Sequence, residues 1–427
     1  MSAKPIVAYA GMTHLGLCSA VAAASKGFTT FGFTPDADLV KRLEAGNLPV
    51  VEPDLDDLLQ ANRARLRFSA DAARLRECDL VYVAPDVATD DSGDSDLSTL
   101  DRLLELVLAN TRDDAAIVVL SQVPPGYTRA RQRPGRQVFY QVETLVFGRA
   151  VERATLPERF IVGAPDGRDL PPAMRAFLEA FGCPILPMRF ESAELTKISI
   201  NCCLVASVTV ANTLAELCER IGADWSEIAP ALKLDRRIGA YSYLSPGLGL
   251  AGGNLERDLA TIIGLSKEHG TDAALIEAFV SNSKHRKDWA LRTLHEAVLS
   301  KIPNAKLGIL GLAYKENTHS VKNSPSLALI RHLASWAIRV FDPVVPASAA
   351  PHPSVTGAAS ALDAADGVDA LVIMTPWPQF REISCAYLAR AMRGRLVLDP
   401  YRVLDPQAAR DAGLDHRLLG VSWDPTC

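Results

Sequence analysis

Cysteines at paired, metal-binding spacing are missing from this sequence. Eight cysteines are scattered along it, Cys18, Cys78, Cys183, Cys202, Cys203, Cys218, Cys385 and Cys427, and none falls in a Cys-x-x-Cys arrangement. In a chain of 427 residues this argues against a disulfide framework or a zinc site, and for reduced thiols in the cytoplasm. No metal is expected. An excess of basic charge is also missing. Lys and Arg number 45 against 50 Asp and Glu, a net charge of −5, with no basic patch, so nucleic acid is not an expected partner. No run of about 18 apolar residues occurs, and no membrane span is expected. The opening "MSAKPIVAYAGM" lacks the apolar core and small-residue cleavage site of a secretory leader, so none is expected. What remains is 48% apolar and 22% charged, the balance of a soluble globular protein. The length is too great for one ordinary core, so two or three domains are expected.

The first third alternates β-rich runs with amphipathic helices. "IVAYAGM" reads as a strand, residues 16–26 as a helix, "TTFGFTP" as a strand and "DADLVKRLEAG" as a helix. "DLVYVAP" and "AAIVVLSQV" are apolar with little alternation, which marks parallel strands covered on both faces. A proline-free helix is expected from about Ser192 to Gly222, apolar enough to be buried within the chain or against a partner subunit in a homodimer, with Cys202 and Cys203 in the core. More helices run to about Leu299. "AKLGILGLAYK" then restarts a strand–glycine–helix pattern, and "IRVFDP", "DALVIMTPW" and "RLVLDP" supply further strands. The segment "VVPASAAPHPSVTGAAS" reads as a surface loop. The fold class expected is α/β: two Rossmann-like doubly wound domains, 1–191 and 300–427, joined by a helical domain, 192–299.

Three places carry chemistry. The first strand ends in "GMTHLG", where Gly11, Thr13 and Gly16 occupy the positions of a G-x-G-x-x-G dinucleotide fingerprint. Thr13 crowds the pyrophosphate with a methyl group where glycine would admit it, although its hydroxyl can donate to phosphate. The helix start at Leu15 and Gly16 still offers unsatisfied N–H groups. The acid expected at the end of the second strand is replaced by Thr34, with Asp36 two residues on. The bland alternative is a βαβ unit that packs well and binds no dinucleotide. Lys197 and Asn201 lie four apart on one helical face. Together they can hold an alkoxide, or they are a solvated lysine and a packing asparagine. "SPGLGLAGGNLERD" places four glycines, Gly247, Gly249, Gly252 and Gly253, before Asn254 and Asp258. Such a loop brings backbone close to something, and Asp258 is either a helix-start residue or a charge partner.

Taken together, these motifs resemble the UDP-glucose/GDP-mannose dehydrogenase family over nearly the whole chain. "LEAGNLPVVEPDLDDLL", "SQVPPGYT", "QVETLVFGRAVERATLPERFIVG", "AELTKISINCCL", "RRIGAYSYLSPGLGLAGGNLERD", "LGLAYKENTHSVKNSPSLALI" and "DALVIMTPWPQF" fall in the family's order. The resemblance implies an N-terminal NAD domain, a central helical dimer domain and a C-terminal domain that grips a nucleotide diphosphate. It implies two hydride transfers to NAD through a cysteine-bound thioester. It places the hydrolytic glutamate at Glu143, the oxyanion-holding pair at Lys197 and Asn201, and the aspartate beside the nucleophile at Asp258. Cofactor contacts fall on Gly11, Thr13, Leu15, Gly16, Thr34 and Gln122. Sugar and diphosphate contacts fall on Arg237, Gly249, Gly252, Gly253, Lys315 and Arg402, with Arg237 reaching across a homodimer.

The resemblance puts the nucleophilic cysteine at position 254, and this chain has Asn254 there. A carboxamide nitrogen is delocalised into its carbonyl and is no useful nucleophile. Other positions depart as well: Asp86-Val87 for Thr-Pro, Gln122 for Thr, Gln141 for Asn, His319 and Ser320 for two aspartates, and Tyr401 for Arg. Besides a reading that keeps the second oxidation through an aldehyde hydrate, two functions stay open. One is a nucleotide-sugar dehydrogenase that transfers hydride from a UDP-sugar to weakly bound NAD without the thioester step. The other is a catalytically silent homologue that binds a nucleotide sugar or a partner as scaffold or regulator.

Overall fold

The computed structural model describes residues 4–90, 95–333, 335–350 and 352–423. The chain divides into two compact units, 1–200 and 201–427. The strands of the first are β1 Val7–Ala10, β2 Thr30–Phe33, β3 Leu66–Ser69 and β4 Leu80–Val83, then the short pair β5 Ala88–Thr89 and β6 Ser95–Asp96. After these come β7 Ala116–Val119, β8 Gln137–Gln141, β9 Phe160–Ala164 and β10 Ile185–Arg189. The eight long strands form one sheet in the order β10-β9-β8-β7-β4-β1-β2-β3. The strands β1, β4 and β7 read VAYA, LVYV and AIVV and are buried throughout. They lie inside the sheet with helices on both faces. His14–Ser25 and Pro172–Glu179 pack on one face, and Ser98–Asn110 on the other.

The expected doubly wound sheet is present, with one correction. Strands β8 and β9 pair antiparallel, and β10 runs parallel to β9, so two edge strands oppose the other six. The connection between β8 and β9 carries one short helix, Ala150–Thr155, in place of the long crossover helix of a βαβ unit. The order reverses at β1 and β4, and the carboxyl ends of these two strands frame the crevice where such sheets bind ligands.

The second unit contains β11 Lys306–Leu310, β12 Ala337–Phe341, β13 Val355–Gly357, β14 Ala370–Ile373, β15 Leu396–Leu398 and β16 Asp415–Arg417. They form a parallel sheet in the order β13-β12-β11-β14-β15-β16. The segment 344–360, expected as a surface loop, therefore contributes an edge strand, β13. At the turn after β11, Asp342 accepts the N–H groups of Leu312 and Ala313 at 2.7 and 3.0 Å. Burial opposes its charge, but those bonds and two more from Val344 and Val345 outweigh it and hold the carboxyl below its ordinary range.

The long helix is Phe190–Ile221, two residues earlier at its start than expected. It is apolar but not wholly buried. Val210, Leu214, Leu217 and Ile221 are 40–61% exposed and recur at helical spacing along one face. Cys203 is exposed and Cys202 half-buried, so neither is the core residue expected. By length and composition alone this helix would cross a membrane, with a third of its most apolar window buried, contrary to the expectation that no such stretch exists. Its buried polar groups are bonded within protein, however. Glu219 accepts from Arg286 Nη2 at 3.1 Å, Trp289 Nε1 at 3.2 Å and the Gly420 N–H at 3.0 Å. The seven cysteines among the described residues are free thiols, and Cys427 lies outside them.

Arg286 is fully buried. Glu219→Ala removes its best-buried partner, leaves Glu216 at 3.3 Å as a remaining carboxylate and strips the Trp289 and Gly420 donors of their acceptor, at a cost of about 1–3 kcal/mol. Glu219→Gln keeps the shape and some of the hydrogen bonding, and should cost less. Urea denaturation followed by tryptophan fluorescence checks this ranking.

Candidate active site

Three groups of side chains emerge, two in the first unit and one in the second. The first is the turn after β1. Gly11 has φ +101, and a Cβ there would lie 2.6 Å from the Pro85 nitrogen; one on Gly16 would lie 1.9 Å from the Gly11 oxygen. Both glycines are required by this close packing. Thr13 is the N-cap residue of His14–Ser25, but its side chain caps nothing. Its hydroxyl oxygen accepts the Asp86 N–H at 2.8 Å. The Asp86 carboxylate in turn accepts the N–H groups of His14 at 3.1 Å and Leu15 at 3.3 Å. Thr34 is buried, and Asp36 spends one carboxylate oxygen on capping the next helix through Asp38 and Leu39, both at 3.0 Å. Gln122 is half-buried in the loop after β7.

One pair beside this turn was invisible to motif reading. His14 Nε2 lies 2.8 Å from Glu52 Oε1, with both side chains buried. Glu52 also accepts the N–H groups of Gly148 at 2.9 Å and Ala150 at 3.2 Å. It thereby ties the helix start to the segment that follows Glu143. The available signal was a glutamate inside the otherwise apolar "PVVEP".

The second group surrounds Glu143, just past β8. Its Oε1 accepts the Leu145 N–H at 2.5 Å, and its Oε2 lies 3.1 Å from Lys197 Nζ. Both side chains are mostly buried, so the ion pair is held rather than solvated. One turn earlier on the long helix, fully buried Glu194 accepts the N–H groups of Gly126 at 2.6 Å and Thr128 at 2.8 Å. Burial pushes its carboxyl up, against the pull of these bonds. Glu194 thus fixes the "PPGYT" loop to the helix that carries Lys197. Gln141, at the end of β8, is turned inward and accepts the Tyr82 hydroxyl at 3.0 Å.

The third group lies in the second unit. Asn201 Nδ2 donates to Asp258 Oδ2 at 2.5 Å, and Arg257 Nε lies 3.3 Å from Asp258 Oδ1. All three residues are buried. Asp258 is therefore a charge and hydrogen-bond partner rather than a helix-start residue. The helix begins four residues earlier, at Asn254, which is exposed at its first position after Gly253 (φ +95). The glycine-rich loop is stitched down through Gly247 N–H to Asn212 Oδ1 at 2.8 Å, Leu250 N–H to Ser283 Oγ at 2.8 Å, and Gly252 N–H to the Lys322 carbonyl at 3.0 Å. The close approach that its glycines permit is to protein. A Cβ on Gly249 would meet the Ser283 oxygen at 2.4 Å, and one on Gly252 the Tyr314 ring at 2.7 Å.

The cations expected near a nucleotide each have a partner in the protein. Lys315 lies 5.8 Å from the Tyr314 ring centroid. Arg402 adopts φ +53 and pairs with Asp224 at 3.4 Å. Arg237 is highly exposed and bonded to Asp235 at 2.6 Å.

Residues 6–177 match the UDP-glucose/GDP-mannose dehydrogenase family, NAD binding domain. Residues 191–284 match its central domain, and residues 308–406 its UDP binding domain. The chain is 28% identical to the UDP-glucose 6-dehydrogenase of Pseudomonas aeruginosa, over 96% of each chain. It is 27% identical to the UDP-glucose 6-dehydrogenase TuaD of Bacillus subtilis, over 97% of this chain and 93% of that one. The solved structure of a UDP-glucose dehydrogenase from the hyperthermophilic archaeon Pyrobaculum islandicum superposes with a TM-score of 0.85 at 28% identity, covering 99% of both chains. An NAD-binding domain is thus present. Gly11, Gly16 and the helix start fit a dinucleotide, whereas the Asp86 carboxylate on the N–H groups of His14 and Leu15 does not.

Gly252→Ala places a side chain against Tyr314 at φ +87 and should lower the melting temperature. The left-handed backbone alone costs about 1–2 kcal/mol. In a double-mutant cycle with Tyr314→Ala, the clash should vanish and the backbone cost remain. Thermal denaturation of the four proteins measures both parts.

Proposed function

Because the chain belongs to the UDP-glucose/GDP-mannose dehydrogenase family, we propose that it oxidises a hydroxyl of a UDP-sugar to the aldehyde, with NAD as acceptor, and omits the thioester stage. We further propose a division into an NAD domain, 1–191, a helical dimer domain, 192–299, and a UDP-sugar domain, 300–427, acting in the cytoplasm. The observation that carries the chemistry is Asn254. It is exposed at the start of a helix, where the family resemblance calls for a thiolate, and a carboxamide forms no covalent adduct with an aldehyde.

NAD, when bound, takes the hydride. The chain's own part is charge and proton handling. Lys197 supplies a cation for the developing alkoxide, and its pairing with Glu143 at 3.1 Å holds its long side chain in place. Glu143 is also the nearby carboxylate able to take a proton. Asn201 gives one amide hydrogen to Asp258 and keeps the other for an oxygen of the substrate. Asp258 is a positioning residue, because a carboxylate acceptor fixes which end of the Asn201 amide is the donor. The silent-homologue reading is favoured by one observation, the Asp86 carboxylate at the helix start.

The test counts NADH formed per UDP-glucose consumed, with hydroxylamine present to trap aldehyde. We expect slow turnover, one NADH per trapped sugar and no sugar adduct by intact mass. Two NADH per sugar at ordinary enzyme rates would overturn the proposal, and no NADH at all would favour the silent reading. Lys197→Ala should lower kcat by roughly 10²–10³-fold if the alkoxide role is right.

We also propose that the exposed stripe of Val210, Leu214, Leu217 and Ile221 is covered by a second copy of the chain. Such a face is apolar enough for the large interface of an obligate homodimer. Light scattering should give a dimer at micromolar concentration, and Leu214→Glu with Leu217→Glu should give a monomer.

A further inference from the structure

We propose that Asp86 is an internal anion that occupies the cofactor's diphosphate site, so that a dinucleotide binds only when this carboxylate is displaced. The inference rests on reading the first unit as an NAD domain, which the match of residues 6–177 supplies. A diphosphate in such a domain sits at the start of the first helix, at the carboxyl ends of the strands where the order reverses, and accepts backbone N–H groups there. Here that helix is His14–Ser25, and the strands are β1 and β4.

The N–H groups at that point belong to His14 and Leu15, and both are already bonded to the Asp86 carboxylate. The backbone of Asp86 is held close by two further contacts. Its own N–H goes to the Thr13 hydroxyl oxygen, and a Cβ on Gly11 would strike the Pro85 nitrogen. Ser121 Oγ donates to the Pro85 carbonyl at 2.5 Å, so the chain entering Asp86 is fastened on both sides. The Asp86 side chain itself faces solvent. It can swing away while its backbone stays in place.

A carboxylate on these donors does more than cover them. It carries the same sign of charge as the ligand, so even after displacement it stays near and repels the diphosphate. Adenosine has no diphosphate and escapes both effects. Asp86 is therefore an affinity-setting residue selective for the diphosphate part of the cofactor.

The experiment is calorimetric titration of the full-length protein and of two variants, Asp86→Ala and Asp86→Asn, with NAD, ADP-ribose and adenosine. The asparagine variant keeps the shape and one acceptor oxygen, so it guards against a folding defect in the alanine variant. We expect both variants to bind NAD and ADP-ribose at least about tenfold more tightly than the unaltered chain, which corresponds to ~1.4 kcal/mol. Adenosine affinity should not change. Equal NAD affinity in all three proteins overturns the inference and leaves the NAD reading intact, as does low-micromolar NAD binding by the unaltered chain. Adenosine binding without NAD binding in any of the three overturns both.

Discussion

The fold depends on the burial of polar side chains along one long helix, Phe190–Ile221. A helix this apolar packs in many ways, because hydrophobic burial has no direction. Its carboxylates and amides remove that freedom. Glu194 requires two backbone N–H donors and takes them from the loop after β7. Asn201 requires an acceptor and finds Asp258. Glu219 requires a cation and finds Arg286, a residue with no exposed surface. Each unmet need would leave a buried polar group unsatisfied, at a cost of about 1–3 kcal/mol or more. Lys197 and Asn201 are carried by the same helix, each beside one of these fixed residues.

A carboxylate recurs at the first turn of both large sheets. Asp342 accepts the two N–H groups that follow Gly311, from the end of the neighbouring strand β12. Asp86 does the same for the two N–H groups that follow Thr13, from beyond β4. Both satisfy donors that a helix start or tight turn leaves open. Their settings differ. Asp342 is enclosed by further bonds from Val344, Val345 and the Trp377 indole, so it is part of the frame. Asp86 has its side chain in solvent and sits where the order of the first sheet reverses. The same chemistry is structural in one place and a competitor for ligand in the other.

The glycine-rich loop before Asn254 owes its shape to its own packing. Gly249 and Gly252 are required by the close approach of Ser283 and Tyr314. Burial pushes the Tyr314 hydroxyl up to about 12, so it stays a neutral ring against the loop. The helix after the loop is braced by Glu256, which reaches Lys287 and Asn323 at 2.8 and 2.7 Å. None of these contacts involves residue 254.

Much of this protein was legible in its sequence, for a physical reason. Buried parallel strands need continuous apolar runs, and strand–glycine–helix turns need glycine at set spacings. The strands around "VAYA", "LVYV" and "AIVV", the restart at "LGILGL" and the order of the family motifs are all local patterns. What the sequence did not contain is any pairing across long separations. Periodicity says nothing of whether Glu143 reaches Lys197, whether Glu52 takes His14, or whether two edge strands oppose the rest. The long helix was apolar enough to need cover, but composition cannot distinguish a face covered within the chain from one left for a partner subunit. Asp86 was visible only as a departure from a motif. Tertiary structure alone set its carboxylate on the backbone N–H groups of a helix 72 residues earlier, because those donors must be satisfied by whatever acceptor the packing of β1 against β4 brings near.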